Sequence, residues 1–220
     1  MPVEITWLGH SCFRLRDRAA TAVTDPYGKD MGLILPRVRA DIVTVSHDAD
    51  DHNFTRGVKG DFQVLSGPGE YEVSSVFVTG LELRGGKPKK EVTPALRNTV
   101  FLFEFDDLTV CHLGDLNIVP TQAQVEEALG EVDVLLIPVG GGESLNASQA
   151  SEVVSLLEPH IVIPMHYKVP GVESKLDPVS KFLKEMGLDK VPPQELLKVS
   201  RGGLPDETQV VLLELKSKDE

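Results

Sequence analysis

With 220 residues, 41% of them hydrophobic and 25% charged, the chain can bury one large core or two small ones and reads as an ordinary globular protein. A formal net charge of −12 at pH 7 argues against a nucleic-acid backbone as partner, since phosphate binding rests on a basic surface. Two cysteines, each inside a strand-like run, fit a reducing compartment rather than a disulfide scaffold. No apolar run approaches the ~20 residues that span a bilayer, and no basic start followed by an apolar stretch marks a secretion signal. The expectation is a soluble cytoplasmic protein with no nucleic-acid or membrane partner.

In chain order, Val3 to Leu8 alternates at the period of a strand, and Cys12 to Leu15, Thr21 to Thr24, Ile42 to Val45 and Gln63 to Leu65 read as further short strands. Gly67-Pro68-Gly69 is a turn, and Tyr71 to Thr79 is again strand-like. The polar stretch Arg84 to Leu96, which holds Lys87, Lys89 and Lys90, reads as a solvated loop. Asn98 to Phe105 and Leu108 to His112 form a hairpin turning at Asp106-Asp107. Thr121 caps a helix that runs to Leu129, with Gly130 just past its end. Val134 to Pro138 is a short buried strand. Ser148 to Leu157 sets Ala150, Val153, Val154 and Leu157 at helical spacing and stops before Pro159, which disfavours helix at the residue preceding it. Ile161 to Ile163 is a strand, Leu176 to Met186 a helix and Thr208 to Leu215 a final strand. Strands first, then strand and helix in alternation, predict sheets covered outside by helices in one compact domain, 1–220.

The chemistry concentrates in six histidines, His10, His47, His52, His112, His160 and His166. Two of them lie in Ser46-His47-Asp48-Ala49-Asp50-Asp51-His52-Asn53, directly after the apolar run Ile42 to Val45. A strand that ends in a turn loaded with nitrogen and oxygen donors is how a protein presents a metal site at a sheet edge. His112 and His166 also follow apolar runs. Asp115 follows Gly114, where the backbone can turn sharply beside a ligand. Ligands at the ends of adjacent strands can converge on one point although far apart in sequence.

Trp7-Leu8-Gly9-His10-Ser11, Thr24-Asp25-Pro26, the Ser46 to Asn53 string, Gly114-Asp115 and Pro164-Met165-His166-Tyr167 follow one another in a familiar order. On these landmarks the chain resembles the metallo-β-lactamase-fold hydrolases, nearest to the ascorbate-6-phosphate lactonase-like branch. The resemblance implies an α/β (α+β) fold, a four-layer αββα sandwich with one or two metal ions at the sheet edge. One metal site would use Asp51, His52 and His166, with Asp115 as the bridging carboxylate. The other would use His47, the residue at position 49, a mid-chain histidine and the same Asp115. Position 49 is Ala49, and no histidine occurs between His52 and His112, so that second set is reduced to His47 and the shared carboxylate. The resemblance thus points to zinc or manganese, one ion rather than two, with Asp48 and Asp50 as further oxygen donors for a harder metal.

The activity it implies is hydrolysis of an ester, lactone or phosphoester through a metal-held hydroxide on a small-molecule substrate, with Asp51 and His10 as catalytic residues. The −12 charge disfavours a nuclease, and a homo-oligomer is left open. The rival is a non-catalytic, metal-poor ligand-binding member of the same fold, whose polar groups hydrogen-bond one another and water. His10 reads either as a group handling substrate or a proton, or as a hydrogen-bonded strand-end residue. His112 reads as a support and His160 as a surface residue. Asp25 would orient a metal-binding histidine or cap a turn. Gly140-Gly141-Gly142 lacks the lysine and hydroxyl of a nucleotide P-loop and reads as a loop at the edge of the site. Gly67 to Tyr71 would form its rim, and Arg97 and Asn98 receive no role.

Overall fold

The computed structural model describes residues 1–83, 97–170, 172 and 175–216, so the loop expected over 84–96 and its lysines lie outside the described residues. Two mixed sheets face each other. In the first, β1 (Val3–Gly9), β2 (Cys12–Arg16) and β3 (Thr21–Thr24) form an antiparallel meander, and β4 (Ile42–Val45) and β5 (Gln63–Ser66) continue it in parallel. β12 (Leu197–Val199), which the sequence does not announce, closes the other edge against β1. In the second, β6 (Gly69–Val73), β7 (Val76–Glu82), β8 (Thr99–Phe105) and β9 (Leu108–His112) are antiparallel. β10 (Val134–Pro138), β11 (Ile161–Met165) and β13 (Gln209–Val210) extend this sheet in parallel. β10 and β11 are buried at every position, as parallel strands covered on both faces must be.

Helices cover the second sheet. Thr121 caps α1 (Gln122–Gln124) with a reciprocal capping box to Gln124, and the helix widens into a π turn over Val125–Leu129 before Gly130. α2 (Ala147–Leu157) has the same box between Asn146 and Gln149, and it ends at Glu158, whose φ of 45° leads into Pro159. α3 (Val179–Glu185) starts later than the sequence suggests. Pro178 is its N-cap and steers Asp177 away from helical geometry, so Leu176 and Asp177 stay outside. The run read as one strand from Tyr71 to Thr79 is a hairpin. It turns at Ser74-Ser75, with φ of 51° and 65°, the left-handed pair that matches the twist of tight hairpins. The strand expected over Thr208 to Leu215 shrinks to β13 and one bridge from Leu213 to Gln194.

The main core lies between the sheets, where Ile5, Trp7, Phe13 and Leu15 meet Phe101, Phe103, Val110, Leu136 and Ile163. A second core packs Leu102, Leu135, Ile137 and Val162 under Val125, Leu129, Val153, Val154, Phe182 and Leu183. On the outer face of the first sheet, Cys12, Val23 and Val43 are covered by Tyr27, Val38, Ala40 and Val58. These come from connecting segments that carry 3₁₀ turns at Lys29–Met31 and Thr55–Gly57. The layering is therefore that of the expected sandwich, with one outer layer made of loops and single turns. Among the described residues no helix is long and apolar enough to cross a membrane.

Candidate metal centre

Strand direction gathers the polar residues. β1, β3 and β4 run the same way in the first sheet, and β9 and β11 do so in the second, so the C-terminal ends of each set share one edge. The residues that follow those ends are His10, Asp25, Ser46-His47, Asp115 and His166. Two backbone bonds tie the edges together: His166 N–H donates to His10 O at 3.2 Å, and Thr99 N–H to Ser46 O at 2.7 Å. Asp51 and His52 join from the turn after β4, where the Ala49 carbonyl accepts from His52 N at 2.9 Å and Asn53 N at 3.0 Å. His10, Asp25 and His166 hold φ of 53°, 37° and 51°, a left-handed backbone costing about 1–2 kcal/mol for a non-glycine residue. Such strain persists where the surroundings over-determine it, which is common around ligand sites.

His52 is the hub and is fully buried. Its Nδ1 lies 2.9 Å from Asp51 Oδ1, and its Nε2 lies 3.2 Å from Asp115 Oδ1. His166 Nδ1 approaches the same Asp115 oxygen at 2.8 Å, and His10 Nε2 stands 3.3 Å from Asp51 Oδ2. The His47 ring centroid is 4.2 Å from that of His52. Two triads bring one donor atom each to within 4.8 Å of one another: His10, Asp51 and His52, and His47, His52 and Asp115. His166 enters neither triad and is held instead against Asp115. Asp48 and Asp50 are exposed, Asp48 accepts from Asn53 Nδ2 at 2.7 Å, and neither belongs to the two triads.

The electrostatics follow from crowding. Burial opposes ionisation of Asp51 and Asp115, but the imidazoles beside them outweigh it and hold both well below the usual carboxylate range. Burial opposes a charge on His52, yet Asp115, Asp51 and Asp25 outweigh it and hold its pKa well above the ordinary value. Burial pushes His10 down to about 4, partly offset by Asp51, and it also lowers His47. Several close approaches lack hydrogen-bond geometry. Among the described residues, His10 Nε2, His52 Nε2, Asp115 Oδ1 and His166 Nδ1 are buried with no hydrogen-bond partner. A native interior rarely leaves four such atoms facing one another. Nitrogen and carboxylate donors in this state suit a divalent metal ion.

The neighbouring residues divide into supports and bystanders. Asp25 is fully buried and accepts from Ser46 N at 2.7 Å and Ser46 Oγ at 2.6 Å. Ser46 Oγ in turn sits 3.1 Å from His47 Nδ1. With its hydrogen donated to Asp25, that oxygen can only accept, which places the proton on His47 Nδ1 and leaves Nε2 with the free lone pair. Asn98, given no role by the sequence, braces Asp115: its Oδ1 accepts from Asp115 N at 2.8 Å, and its Nδ2 donates to Leu113 O at 2.8 Å. Between them, Gly114 has φ of 56°, and a Cβ there would stand 2.8 Å from Ser46 Oγ, so the site requires glycine. His112 is a buried support whose Nε2 is 2.8 Å from Ser11 O and whose Nδ1 accepts from Gly114 N at 3.2 Å. His160 is half-buried and far from the cluster, with Nδ1 2.8 Å from Pro205 O. A cavity of about 580 Å³ opens beside His47 and is lined also by Ser46, Asn53, Gly67, Pro68 and Arg97. Gly67 and Pro68 thus form part of its rim. Tyr71 turns its hydroxyl back to Gly67 O at 3.2 Å.

Residues 4–166 match the family model described as the beta-lactamase superfamily domain. A UPF0173 protein of Pyrococcus furiosus is 28% identical over 200 residues, covering 84% of this chain and 90% of the relative. A protein of Methanopyrus kandleri named a UPF0173 metal-dependent hydrolase is 24% identical over 217 residues, covering 85% and 94%. Among solved structures, a Thermotoga maritima protein described as a candidate Zn-dependent hydrolase of the metallo-beta-lactamase superfamily has a TM-score of 0.78. It is 40% identical, with 96% of this chain and 98% of that chain covered. The shared fold, the polar residues at the strand ends and these matches together place the chain in the metallo-β-lactamase superfamily.

Proposed function

We propose that the chain is a metal-dependent hydrolase acting on an ester, lactone or phosphoester of a small molecule. The observation that carries this reading is the set of buried, unpartnered imidazole and carboxylate atoms at the joined sheet edges, beside a cavity large enough for a small ligand. The ion, zinc or manganese, would be held by donors drawn from His47, Asp51, His52, Asp115 and His166. A divalent ion in such a place supplies Lewis acidity and lowers the pKa of a bound water towards ~7.

The protein's own part is orientation and exclusion of water. Asp25 and Ser46 fix the His47 tautomer, and Asn98 fixes the Asp115 backbone. Asp51, half-exposed at the cluster, would help hold the ion and orient a nucleophile, since the imidazoles beside it keep its carboxylate a weak base. Arg97, largely exposed on the cavity wall, gives a cation to a substrate carrying a carboxylate or phosphate. The phosphorylated lactones of the branch that the sequence resembles are one such class. The names of the relatives support metal-dependent hydrolysis in general and stop there.

The test is metal content per chain by elemental analysis, followed by hydrolysis assays on lactones, simple esters and phosphoesters with and without the restored ion. About one equivalent of metal with chelator-sensitive turnover is the expected result. No uptake of zinc, manganese or iron after reconstitution would overturn the reading and favour a metal-poor binding protein, which Ala49 and the missing mid-chain histidine already suggest as the rival.

A further inference from the structure

We propose that His10 is itself a metal ligand, sharing one ion with Asp51 and His52. The inference rests on the metal-dependent reading above and adds a residue to its ligands. His10, Asp51 and His52 form one of the two triads whose donor atoms lie within 4.8 Å of one another. The His10 ring is 6% exposed and sits between two others, its centroid 4.8 Å from that of His52 and 4.2 Å from that of His166.

Its Nε2 faces Asp51 Oδ2 at 3.3 Å without hydrogen-bond geometry, while Asp51 Oδ1 is taken by His52 Nδ1 at 2.9 Å. Each carboxylate oxygen therefore looks at one imidazole nitrogen, with the two rings converging on the same group. A cation among them replaces these contacts with bonds of about 2.0–2.2 Å. The fold holds His10 there against a left-handed backbone, using Trp7 Nε1 at 2.9 Å and His166 N at 3.2 Å, both donating to its carbonyl oxygen. That geometry aims the side chain into the cluster. The remaining histidines are otherwise engaged: His112 binds Ser11 O and Gly114 N, and His160 binds Pro205 O.

The experiment loads the full chain with cobalt(II) and counts the hyperfine-shifted imidazole N–H resonances by proton NMR, for the wild type, His10→Asn and the control His160→Asn. Asparagine tolerates the left-handed backbone better than most residues, so the variant tests the ring and not the fold. The expected result is the loss of one shifted resonance in His10→Asn alone, with cobalt affinity at least tenfold weaker. Retention of every shifted resonance in His10→Asn, even with weakened binding, would make His10 a mere support of Asp51 and overturn the inference while sparing the hydrolase reading. A wild type that takes up no cobalt would overturn both. A measurement without any variant guards against misfolding: the ¹⁵N-histidine protein loaded with ¹¹³Cd is expected to show metal–nitrogen coupling at His10 Nε2. Coupling at His52 without coupling at His10 would again refute the assignment.

Discussion

The glycine at position 140 joins the fold to the site, and replacing it by alanine tests that joint. A methyl group at Gly140 would stand 2.9 Å from Tyr167 Cα and 3.1 Å from the His166 carbonyl carbon, and nearer still to the His166 carbonyl oxygen. All of these are backbone atoms, so no side-chain rotation relieves the clash, and the end of β11 must move away from the loop after β10. Overpacking of this kind costs about 1–3 kcal/mol. The Gly140 carbonyl also accepts from Asp177 N at 2.8 Å, a bond worth about 0.5–1.5 kcal/mol that the movement would strain. Gly140→Ala is therefore expected to lose about 2–4 kcal/mol, a large part of the ~5–15 kcal/mol of a typical domain. Gly202→Ala, with none of the described residues within 4 Å of the added methyl, is expected to stay within ~0.5 kcal/mol of the wild type. Urea unfolding followed by the fluorescence of the single tryptophan, Trp7, measures both, since Trp7 is buried in the main core. His166 follows the strand that must move, so metal affinity is expected to fall together with stability. A Gly140→Ala protein with an unchanged midpoint, slope and metal affinity would refute the argument that this glycine sets the position of His166.

Three further outcomes follow from the same geometry. Zinc at a hundred times its dissociation constant is expected to add ~2.7 kcal/mol to stability, read as a chelator-reversible rise in Tm, and superimposable melting curves would count against a metal centre. Asp25→Ala leaves Ser46 N and Oγ without their charged acceptor, so a loss of about 3–5 kcal/mol is expected in urea unfolding. In a double-mutant cycle with Ser46→Ala the two losses are expected to couple by more than ~1 kcal/mol, and simple additivity would show that the pair does not act as a unit. Cys12 and Cys111 are fully buried, and burial raises both thiols well above their ordinary value, so neither is expected to react with iodoacetamide at pH 8 until denaturant is added. Rapid labelling of the native protein would contradict that packing.

Much of the site could be read from the chain because strand ends are readable. His47 and His166 each follow an apolar run, Asp115 follows the turn at Gly114, and an apolar run that stops at a ligand-rich turn is a local signal. The supports were less visible because they act through register. The hairpin turn at Asp106-Asp107 is legible in the sequence, and it sets the pairing Phe101↔His112. Continuing that register three residues further puts Asn98 opposite Asp115, where it braces the backbone. The signal was present but lay in pairing rather than in residue type. The turn at Ser74-Ser75 is not legible in the sequence for a different reason. Serine has no strong preference for the left-handed backbone, and the sheet imposes that conformation on it from both sides. β12 could not be read at all, since three residues carry no periodicity and Leu197–Val199 becomes a strand only by meeting β1.

The number of ions also follows from His52. The two candidate triads share this residue, and they meet it from opposite sides: Asp51 faces Nδ1 at 2.9 Å and Asp115 faces Nε2 at 3.2 Å. A neutral imidazole has one nitrogen with a lone pair and one bearing hydrogen, so it can serve one ion at a time. If the ion takes Nδ1, with Asp51 and His10, then Nε2–H points at Asp115 and repairs two of the unpartnered buried atoms. If it takes Nε2, with His47 and Asp115, then Nδ1–H remains on Asp51 at 2.9 Å, and His10 Nε2 stays unpaired among the described residues. The first arrangement satisfies more of the cluster, and neither admits a second ion on the same ring. A saturating titration is accordingly expected to stop at one equivalent per chain. Ala49→His, which adds a donor that does not depend on His52, is expected to raise the limit above one. A wild-type chain that binds two equivalents with similar affinity would show that His52 is not the shared hub, and the assignment of both triads would fail with it.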